Sequence, residues 1–323
     1  MIKTTKTHKE KAEAKRIYGE LPERPVHLSC EIKSIDPGFA AGKATLYRAR
    51  LIMDMGDKEI YIPIVYAIPK SPDPLPAIIY LSYEKEIPNK YLPAEEIIDR
   101  GYAVFSFCID DVTHNSPDFK SGIGKHIAPS RRKRLSPGKI ALWAWVALRA
   151  AEYASDLEDI DKERIIFAGH GILARSSLLA SGNSEKSRYV IANCLTENPV
   201  PFSTKCIKSG LTLRDFSYLY SPAFADDPTD DELDALIKMA DDKYLLLGFS
   251  EESEFIPDYN YIYKMRHGGS SPIYSSPENE QNKIPALPQY INSGDLSYHI
   301  RFGSDYFSRE DWNIYLDFID KKA

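Results

Sequence analysis

The sequence predicts an α/β fold with a mostly parallel, doubly wound sheet and antiparallel strands at its N-terminal end. Three observations support this prediction. Residues 44–68 contain two alternating apolar runs around a glycine-containing turn, as a hairpin does. Residues 76–108 contain two apolar runs around a helical stretch, as a βαβ unit with buried strands does. Residues 164–181 continue the alternation of strand and helix, which favours a parallel sheet.

Local patterns predict the individual elements in chain order. Residues 8–20 are polar and suit a short helix. The predicted strands span 44–53, 59–68, 76–83, 102–108, 164–168, 188–194, 243–249 and 297–301. The predicted helices after the first span 94–100, 138–155, 172–181 and 308–320.

Two of these helices carry signals at their N-termini. Ser136 and Pro137 precede the helix at 138–155, so we expect Ser136 to be its N-cap and Pro137 its first residue. Ser308 and Asp311 stand three residues apart at the start of the last helix, as in a capping box. These signals predict where both helices begin.

Two stretches, 203–229 and 266–295, lack clear periodicity. The second contains four prolines and five serines. Stretches of this length are typical of functional loops or lids. We therefore expect an N-terminal polar helix or arm over 1–25 and a single domain over 26–323, in which 203–229 and 266–295 form long loops or a lid.

Composition limits the possible classes of function. A hydrophobic fraction of 43% over 323 residues allows a sizeable core, and a net charge of -6 gives no general attraction to polyanions. The four cysteines have no C-x-x-C spacing, and we expect no metal site and no cofactor. The N-terminus has no apolar signal segment, and no apolar run approaches about 18 residues. We therefore expect a cytoplasmic protein that does not bind membranes.

Residues 164–180 contain the feature that bears most on function. They are built like a nucleophile elbow, in which the pattern G-x-S-x-G places a serine at the tip of a strand-to-helix turn. Here the run is Gly169-His170-Gly171, and the tip is Gly171. An absent hydroxyl cannot attack an ester, so the sequence keeps the scaffold of the elbow without its nucleophile.

The order of these parts resembles bacterial α/β-hydrolases of the acetyl-xylan-esterase and glucuronoyl-esterase-like group. The matching segments are IIDRGYAVFSFCIDDVT (97–113), GKIALWAWVALRAAEYA (138–154), IDKERIIFAGHGILAR (160–175) and SYHIRFGSDYFSREDW (297–312). The resemblance covers most of residues 40–320 and implies the α/β-hydrolase fold. For relatives with an intact site it implies esterase activity on acylated saccharides.

The same resemblance implies that the catalytic triad is degenerate. It places Gly171 at the serine position, Asp305 at the position of the base histidine and Ser253 at the position of the acid. A carboxyl group has an ordinary pKa near 3.9, so Asp305 is a poor base for a serine proton at neutral pH. The elbow arginine expected in such esterases is Ile172, whereas Arg175 keeps a cation where the family has a lysine.

Two hypotheses of function stay open. The first is a pseudoenzyme that binds a saccharide, an acyl saccharide or a protein partner, and the missing nucleophile favours it. The second is an active esterase or other hydrolase in which Asp305, Glu251, Glu252 and Asp258 form a carboxylate cluster, with one pKa raised by burial. His170 beside the tip is a further candidate base, although its side chain is expected to point into packing. The oligomeric state also stays open.

Other candidate residues have structural explanations that the sequence favours. Ser176 and Ser177 lie one turn into the elbow helix without an evident base. Cys108 and Cys194 end strands without a visible partner that would form a thiolate. The basic run 131–134 is either a phosphate or nucleic-acid patch or a solvated loop. In an acidic protein the solvated loop is favoured, and we expect no nucleic-acid partner.

Overall fold

The computed structural model describes residues 8–196, 212–229, 232–253, 255–269 and 288–322. Its strands are β1 (His27–Asp36), β2 (Ala44–Asp54), β3 (Glu59–Pro69), β4 (Leu75–Ser82), β5 (Ala103–Cys108), β6 (Ile160–His170), β7 (Ser187–Asn193), β8 (Tyr244–Ser250), β9 (Gln289–Ser293) and β10 (Leu296–Arg301). Its helices are α1 (His8–Tyr18), α2 (Ala94–Asp99), α3 (Ile109–Val112), α4 (Gly124–Ile127), α5 (Lys139–Ser155), α6 (Ile172–Gly182), α7 (Pro222–Asp226), α8 (Glu232–Met239), α9 (Tyr259–His267) and α10 (Arg309–Asp320). A 3-10 helix spans Leu213–Leu219.

The described strands form one sheet in the order β1-β2-β3-β5-β4-β6-β7-β8-β10-β9. Strands β1, β2 and β3 pair antiparallel, and β3 also pairs antiparallel with β5. The neighbours from β5 through β10 pair in parallel, and β9 runs antiparallel to β10 at the far edge. The predicted mostly parallel sheet with antiparallel N-terminal strands is therefore confirmed. The carboxyl ends of the parallel strands share one edge, which carries the elbow.

Helices cover both faces of this sheet. The larger apolar cluster joins one face to α5, α6, α8 and the end of α1. The smaller cluster joins the other face to α2 and α10. The sequences of the central strands are continuous apolar runs because both of their faces are covered. No helix in the described part of the chain is long and apolar enough to cross a membrane.

The sequence does not predict β1 or β9, and both lie at edges of the sheet. Most residues of β1 are exposed, and β9 has a single buried residue, Ile291. An edge strand with little burial lacks the regular apolar alternation that reveals a strand in a sequence. Pairing with β2 and with β10 therefore decides these two elements, rather than local pattern.

The two expected helix starts have different outcomes. The Ser308 side chain accepts the N–H of Asp311, and the Asp311 side chain accepts the N–H of Ser308, so the capping box of α10 is confirmed. The prediction for α5 is wrong, because its N-cap is Gly138. Ser136 instead accepts the N–H of Lys133 at 2.7 Å and closes the turn that precedes the helix.

The predicted long loops at 203–229 and 266–295 are only partly irregular. The 3-10 helix and α7 lie within the first stretch. Helix α9 continues to His267, and β9 occupies 289–293, so the second prediction is wrong at both of its ends. Short elements of this kind are stabilised by tertiary contacts and leave little periodic signal. Residues 203–211 and 270–287 lie outside the described residues.

Helix α1, predicted within the N-terminal arm, packs against α7 and α8. Ile17 and Tyr18 at its end are fully buried. The carbonyl oxygens of these two residues accept N–H groups of Ser221 and Gly138, both at 2.9 Å. These contacts attach the helix to the segments that precede α5 and α7.

Candidate functional site

The elbow lies where β6 ends and α6 begins. Gly171 has φ 60° and ψ -129°, a backbone conformation that side chains disfavour, and it serves as the N-cap of α6. Its N–H donates to the carbonyl of Asn193 at 2.9 Å, which ties the tip to the end of β7. A Cβ at Gly169 would lie 2.3 Å from the carbonyl oxygen of Leu173, so the close approach of strand and helix requires glycine there. The geometry of a strained strand-to-helix elbow is complete, and its tip has no side chain.

His170 precedes the tip and is turned into the fold. Its ring is buried and stacks on Tyr91 and Phe307, with ring centroids 5.3 and 6.0 Å away. Its Nδ1 lies 2.8 Å from Oδ1 of Asn193. Burial lowers the pKa of the imidazole, and it outweighs the Asn193 hydrogen bond that acts in the opposite direction. The ring is therefore enclosed by aromatic side chains.

The last two loops of the sheet edge meet at Asp305. Its Oδ1 accepts a hydrogen bond from the hydroxyl of Ser250, at 2.6 Å, and another from the hydroxyl of Ser253. The Ser253 hydroxyl in turn accepts the backbone N–H of Ser250 at 3.1 Å. The structure thus brings together Asp305 and Ser253, the two residues that the resemblance placed at the base and acid positions.

Arg301 shapes the loop that presents Asp305. Its guanidinium donates to the carbonyl oxygens of Phe302 and Ser304, at 3.0 and 2.9 Å, and also to that of Tyr306. The chain from 302 to 306 therefore wraps around one buried cation. Because a guanidinium presents its donors in a fixed plane, these contacts hold the loop in one conformation.

Asp311 neutralises that cation at the start of α10. It is fully buried and accepts Nε of Arg301 at 2.9 Å and Nε2 of His299 at 2.7 Å. Burial alone would raise the pKa of this carboxyl group. The hydrogen bond from His299 and the charges of His299 and Arg301 outweigh it, so the pKa lies below its ordinary value. His299 therefore has a structural partner in α10.

Cys194 follows β7 and lies between the elbow and the Asp305 loop. It has a φ of 47°, and its side chain is fully buried. Burial first, and then the charge of Asp305, raises the pKa of its thiol well above the ordinary value. The group is a protonated thiol at neutral pH and is a poor nucleophile. Its backbone is strained, and the residue lies at the same sheet edge as Gly171 and Asp305.

The structure brings only some of the four proposed carboxylates close together. Glu251 accepts the N–H of Gly303 at 2.9 Å, which brings it to the loop of Asp305. Glu252 is exposed. Asp258 caps α9 by accepting the N–H of Tyr261 at 3.1 Å. The structure therefore joins Glu251 to the Asp305 loop, whereas it assigns Asp258 to a helix terminus.

The remaining hydroxyl and thiol candidates are packed inside the protein. Ser176 and Ser177 are fully buried, and Ser177 donates to the carbonyl of Ala174 at 2.8 Å. The Cys108 thiol points to the carbonyl of Tyr83, and burial raises its pKa. Within the described ranges, no hydrogen bond joins any of these groups to a histidine. None is activated as a nucleophile would be.

Arg175, one turn after the tip, points inward. It is fully buried and donates to the hydroxyl of Tyr220 at 2.7 Å. The carboxylate of Glu232 lies 3.5 Å away and accepts the hydroxyl of Tyr18 at 2.8 Å. Sequence reasoning missed these three partners because they come from α1, α8 and the segment before α7, far apart in the chain. No local motif signals such a network.

Two further features of the described residues bear on ligand binding. Over the ranges that the structure describes, no group of three or more His, Cys, Asp or Glu side chains could hold a metal ion. A surface depression of about 500 Å³ is lined by Lys43, Lys70, Asp99 and neighbouring residues. It lies at the amino ends of β4 and β5, across the sheet from the elbow, and is separate from this site.

Comparison with known proteins gives the following relatives. No family model matches the chain. The curated protein "Carbohydrate esterase MZ0003", from an unknown prokaryotic organism, is 23% identical over 252 residues, which are 70% of this chain and 55% of the relative. The chain therefore spans about half the length of that relative.

Solved structures resemble the chain along most of its length. A glucuronoyl esterase from Solibacter usitatus has a TM-score of 0.76 at 20% identity, covering 97% of this chain and 90% of that one. A CE15 glucuronoyl esterase from Teredinibacter turnerae has a TM-score of 0.75 at 16% identity, with coverages of 97% and 82%. A glucuronoyl esterase from Sporotrichum thermophile, in complex with methyl 4-O-methyl-β-D-glucopyranuronate, has a TM-score of 0.50 at 14% identity, with coverages of 78% and 67%. At these identities the similarity establishes the fold, which is that of the α/β-hydrolases.

Proposed function

We propose that this chain is a carbohydrate-esterase-like α/β-hydrolase homologue that binds a saccharide or acyl saccharide and does not hydrolyse it. The observation that carries the proposal is Gly171 at the tip of an otherwise complete elbow. Without a hydroxyl at that position no acyl-enzyme can form there. Loss of a catalytic serine lowers turnover by about a millionfold in an enzyme with such a triad.

The surroundings of the tip support the same proposal. Asp305 stands at the base position, and its Oδ1 is already engaged by the hydroxyls of Ser250 and Ser253. Nε2 of His299 is bound to Asp311, and the ring of His170 is enclosed between Tyr91 and Phe307. Each of these two histidines therefore has a polar partner inside the fold, Asn193 for His170 and Asp311 for His299.

The class of ligand rests on similarity. The curated relative is named a carbohydrate esterase, and one esterase of similar fold carries a methyl glucuronate ligand. A binding protein derived from such a scaffold would recognise the same chemistry, a sugar ring with a carboxyl or ester group. Fold alone does not determine function, so this step needs a direct measurement.

A hydrolase with a carboxylate-based site is a second candidate. The contact of Glu251 with Gly303 favours it, because this contact brings a second carboxylate to the loop that carries Asp305. Asp258, which caps α9, does not contribute to such a pair. This candidate requires that Asp305 itself take part in catalysis.

Two measurements on the purified protein test the proposal. The first is turnover of p-nitrophenyl acetate and of a methyl glucuronate ester, compared with Asp305→Asn. The second is calorimetric binding of methyl 4-O-methyl-glucuronate. We expect saturable binding and no turnover above buffer. Turnover that is lost in Asp305→Asn would replace the proposal by the carboxylate-based hydrolase, and absence of both binding and turnover would contradict both candidates.

A further inference from the structure

A second feature at this sheet edge is a strongly basic segment. Residues 120–134 contain six lysines and arginines and no aspartate or glutamate, although the chain as a whole carries a net charge of -6. The six are Lys120, Lys125, Arg131, Arg132, Lys133 and Arg134. We refer to residues 120–134 as the basic segment. The first acidic residue after it in the chain is Glu152.

The cations of the basic segment face solvent. All six except Arg132 are exposed. Among the described residues none of these five exposed side chains takes part in an ion pair. The neighbouring His126 reports the same field, because its pKa is lowered by burial first and then by the charges of Lys125 and Lys58. The positive charge is therefore available to a partner.

Arg132 attaches the basic segment to the protein, and Lys139 holds the residues just before it. The Arg132 guanidinium lies 4.5 Å from the centre of the Phe119 ring and donates to the carbonyl oxygen of Tyr220 at 2.5 Å. Lys139 is buried beneath and donates to the carbonyl of His114 at 3.0 Å. Cation–π contact and buried hydrogen bonds fix the backbone from which the exposed cations project.

The basic segment belongs to the connection from β5 to α5, and a chain of contacts links it to the elbow. The carbonyl of Arg134 accepts the N–H of Ala223 at 2.8 Å, next to the segment that carries Tyr220. The Tyr220 hydroxyl contacts Arg175 at 2.7 Å, and Arg175 lies one helical turn after Gly171. The path of contacts from the basic segment to the tip therefore runs through the buried side chains of Tyr220 and Arg175 and one turn of α6.

We propose that the basic segment binds the carboxylates of an acidic polysaccharide, a uronate-bearing chain that runs along this sheet edge past the elbow. The inference rests on the proposed function, since it assigns a polymer to the saccharide site. Cations spread over fifteen residues match an anion with repeated charges better than a single uronate. Individual exposed ion pairs contribute little, so affinity must come from several pairs together.

Single-stranded nucleic acid and an anionic membrane surface fit the basic segment less well. Proteins that bind single-stranded nucleic acid combine basic grooves with stacking aromatic side chains. Residues 120–134 contain no Phe, Tyr or Trp. Binding to an anionic membrane surface typically uses an amphipathic helix with an exposed apolar face. Here the single helix is the four-residue α4, and both its apolar residue Ile127 and its N-cap Ile123 are buried.

The test uses the full chain and two polysaccharides of similar length. Binding of polygalacturonate and of neutral xylan is measured at low and at high salt. One variant, Lys125→Gln, Arg131→Gln, Lys133→Gln and Arg134→Gln, removes four exposed cations of the basic segment. The control, Lys70→Gln, Lys162→Gln, Lys264→Gln and Lys321→Gln, removes four exposed cations elsewhere and changes the net charge equally.

We expect polygalacturonate to bind the parent. Its affinity for the first variant should be lower by about tenfold or more, and its affinity for the control should be within about twofold of that for the parent. Binding should weaken with salt as the Debye length falls from about 10 Å at 0.1 M to about 3 Å at 1 M. Equal losses in both variants would reduce the effect to net charge and overturn the inference. Equal affinity for single-stranded DNA or for anionic vesicles, lost in the same variant, would overturn the polysaccharide assignment.

The outcome is separable from that of the proposed function. Binding of methyl 4-O-methyl-glucuronate and turnover of esters test the elbow, and neither measurement involves the substituted cations. If the monosaccharide binds and polygalacturonate does not depend on the basic segment, the proposed function stands and this inference fails. If polygalacturonate binds through the basic segment and the monosaccharide does not bind, the proposed saccharide site at the elbow is contradicted. Binding of the polysaccharide by the basic segment then stands.

Discussion

The carboxylate of Asp305 accepts a hydrogen bond from the hydroxyl of Ser253, across the two loops that end β8 and β10. In a serine hydrolase the corresponding contact joins a histidine to a carboxylate, which orients the imidazole and stabilises its charged form. The resemblance places Asp305, which accepts here, at the base position and Ser253, which donates, at the acid position. Compared with the contact in a serine hydrolase, the hydrogen bond between the two loops then runs in the reverse direction.

This reversal predicts which substitutions would give the chain esterase activity. Gly171→Ser with Asp305→His supplies a nucleophile and a base, but Ser253 then offers no charge to orient the imidazole. Adding Ser253→Asp supplies that charge. Because loss of the triad carboxylate costs about 10⁴-fold in turnover, we expect the triple variant to exceed the double by about 10²-fold or more on p-nitrophenyl acetate. Equal rates for the two variants would show that Ser253 does not occupy the acid position.

The elbow predicts a graded response to an added methyl group. Gly171→Ala should lower the free energy of unfolding by about 1–3 kcal/mol, because φ 60° with ψ -129° is disfavoured once a Cβ is present. Gly169→Ala should cost more, because its Cβ would lie 2.3 Å from the Leu173 carbonyl. The control is Gly269→Ala, where no atom lies within 4 Å of the new Cβ. Urea denaturation measures all three, and equal effects would refute the account of the elbow.

The buried contacts of Asp311 predict how the free energy of unfolding changes at acid pH. Asp311→Asn leaves the buried Arg301 uncompensated, so we expect a loss of about 3–5 kcal/mol in the free energy of unfolding. The folded-state pKa of Asp311 is depressed, so its contribution is complete above the unfolded pKa of about 3.9 and is lost as the pH falls through the folded value. Chemical denaturation below pH about 4 should therefore show a weaker pH dependence in Asp311→Asn than in the parent. A parallel pH dependence in both proteins would contradict the assignment.

Lys139 predicts a dependence of the same sign at alkaline pH, where the free energy of unfolding again rises with pH. Burial lowers its pKa to about 8, with the charge of Asp118 opposing the shift and that of Arg132 adding to it. In the unfolded chain the pKa is about 10.4, so the unfolded state binds more protons in this interval and stability rises with pH. The slope from this one group is at most about 1.4 kcal/mol per pH unit.

The matched variant for this measurement is Lys139→Met, which keeps an unbranched apolar side chain and removes the charge. Unfolding by urea is followed between pH about 8 and about 10, the interval between the two pKa values. The free energy of unfolding of the parent should rise relative to that of Lys139→Met across this interval. A constant difference would mean that Lys139 keeps an ordinary pKa in the folded protein.

The sequence by itself determined the order of the central strands and of the long helices between them, the sheet class and the location of the elbow. Strands buried on both faces leave continuous apolar runs, and helices against them leave a stripe at helical spacing, so both are visible locally. Gly171 could be identified as the tip because strand, glycine turn and helix are consecutive in the chain. The capping box of Ser308 and Asp311 was readable for the same reason.

Tertiary structure alone decided what surrounds the tip. The contact of Asp305 with Ser253 spans 52 positions, and that of Tyr18 with Glu232 spans 214. Sequence spacing carries no information about such pairs, because the path of the chain around the sheet sets their distance. The inward direction of Arg175 follows from partners on other elements in the same way. Edge strands β1 and β9 also depended on pairing, since few of their side chains are buried and their pattern is weak.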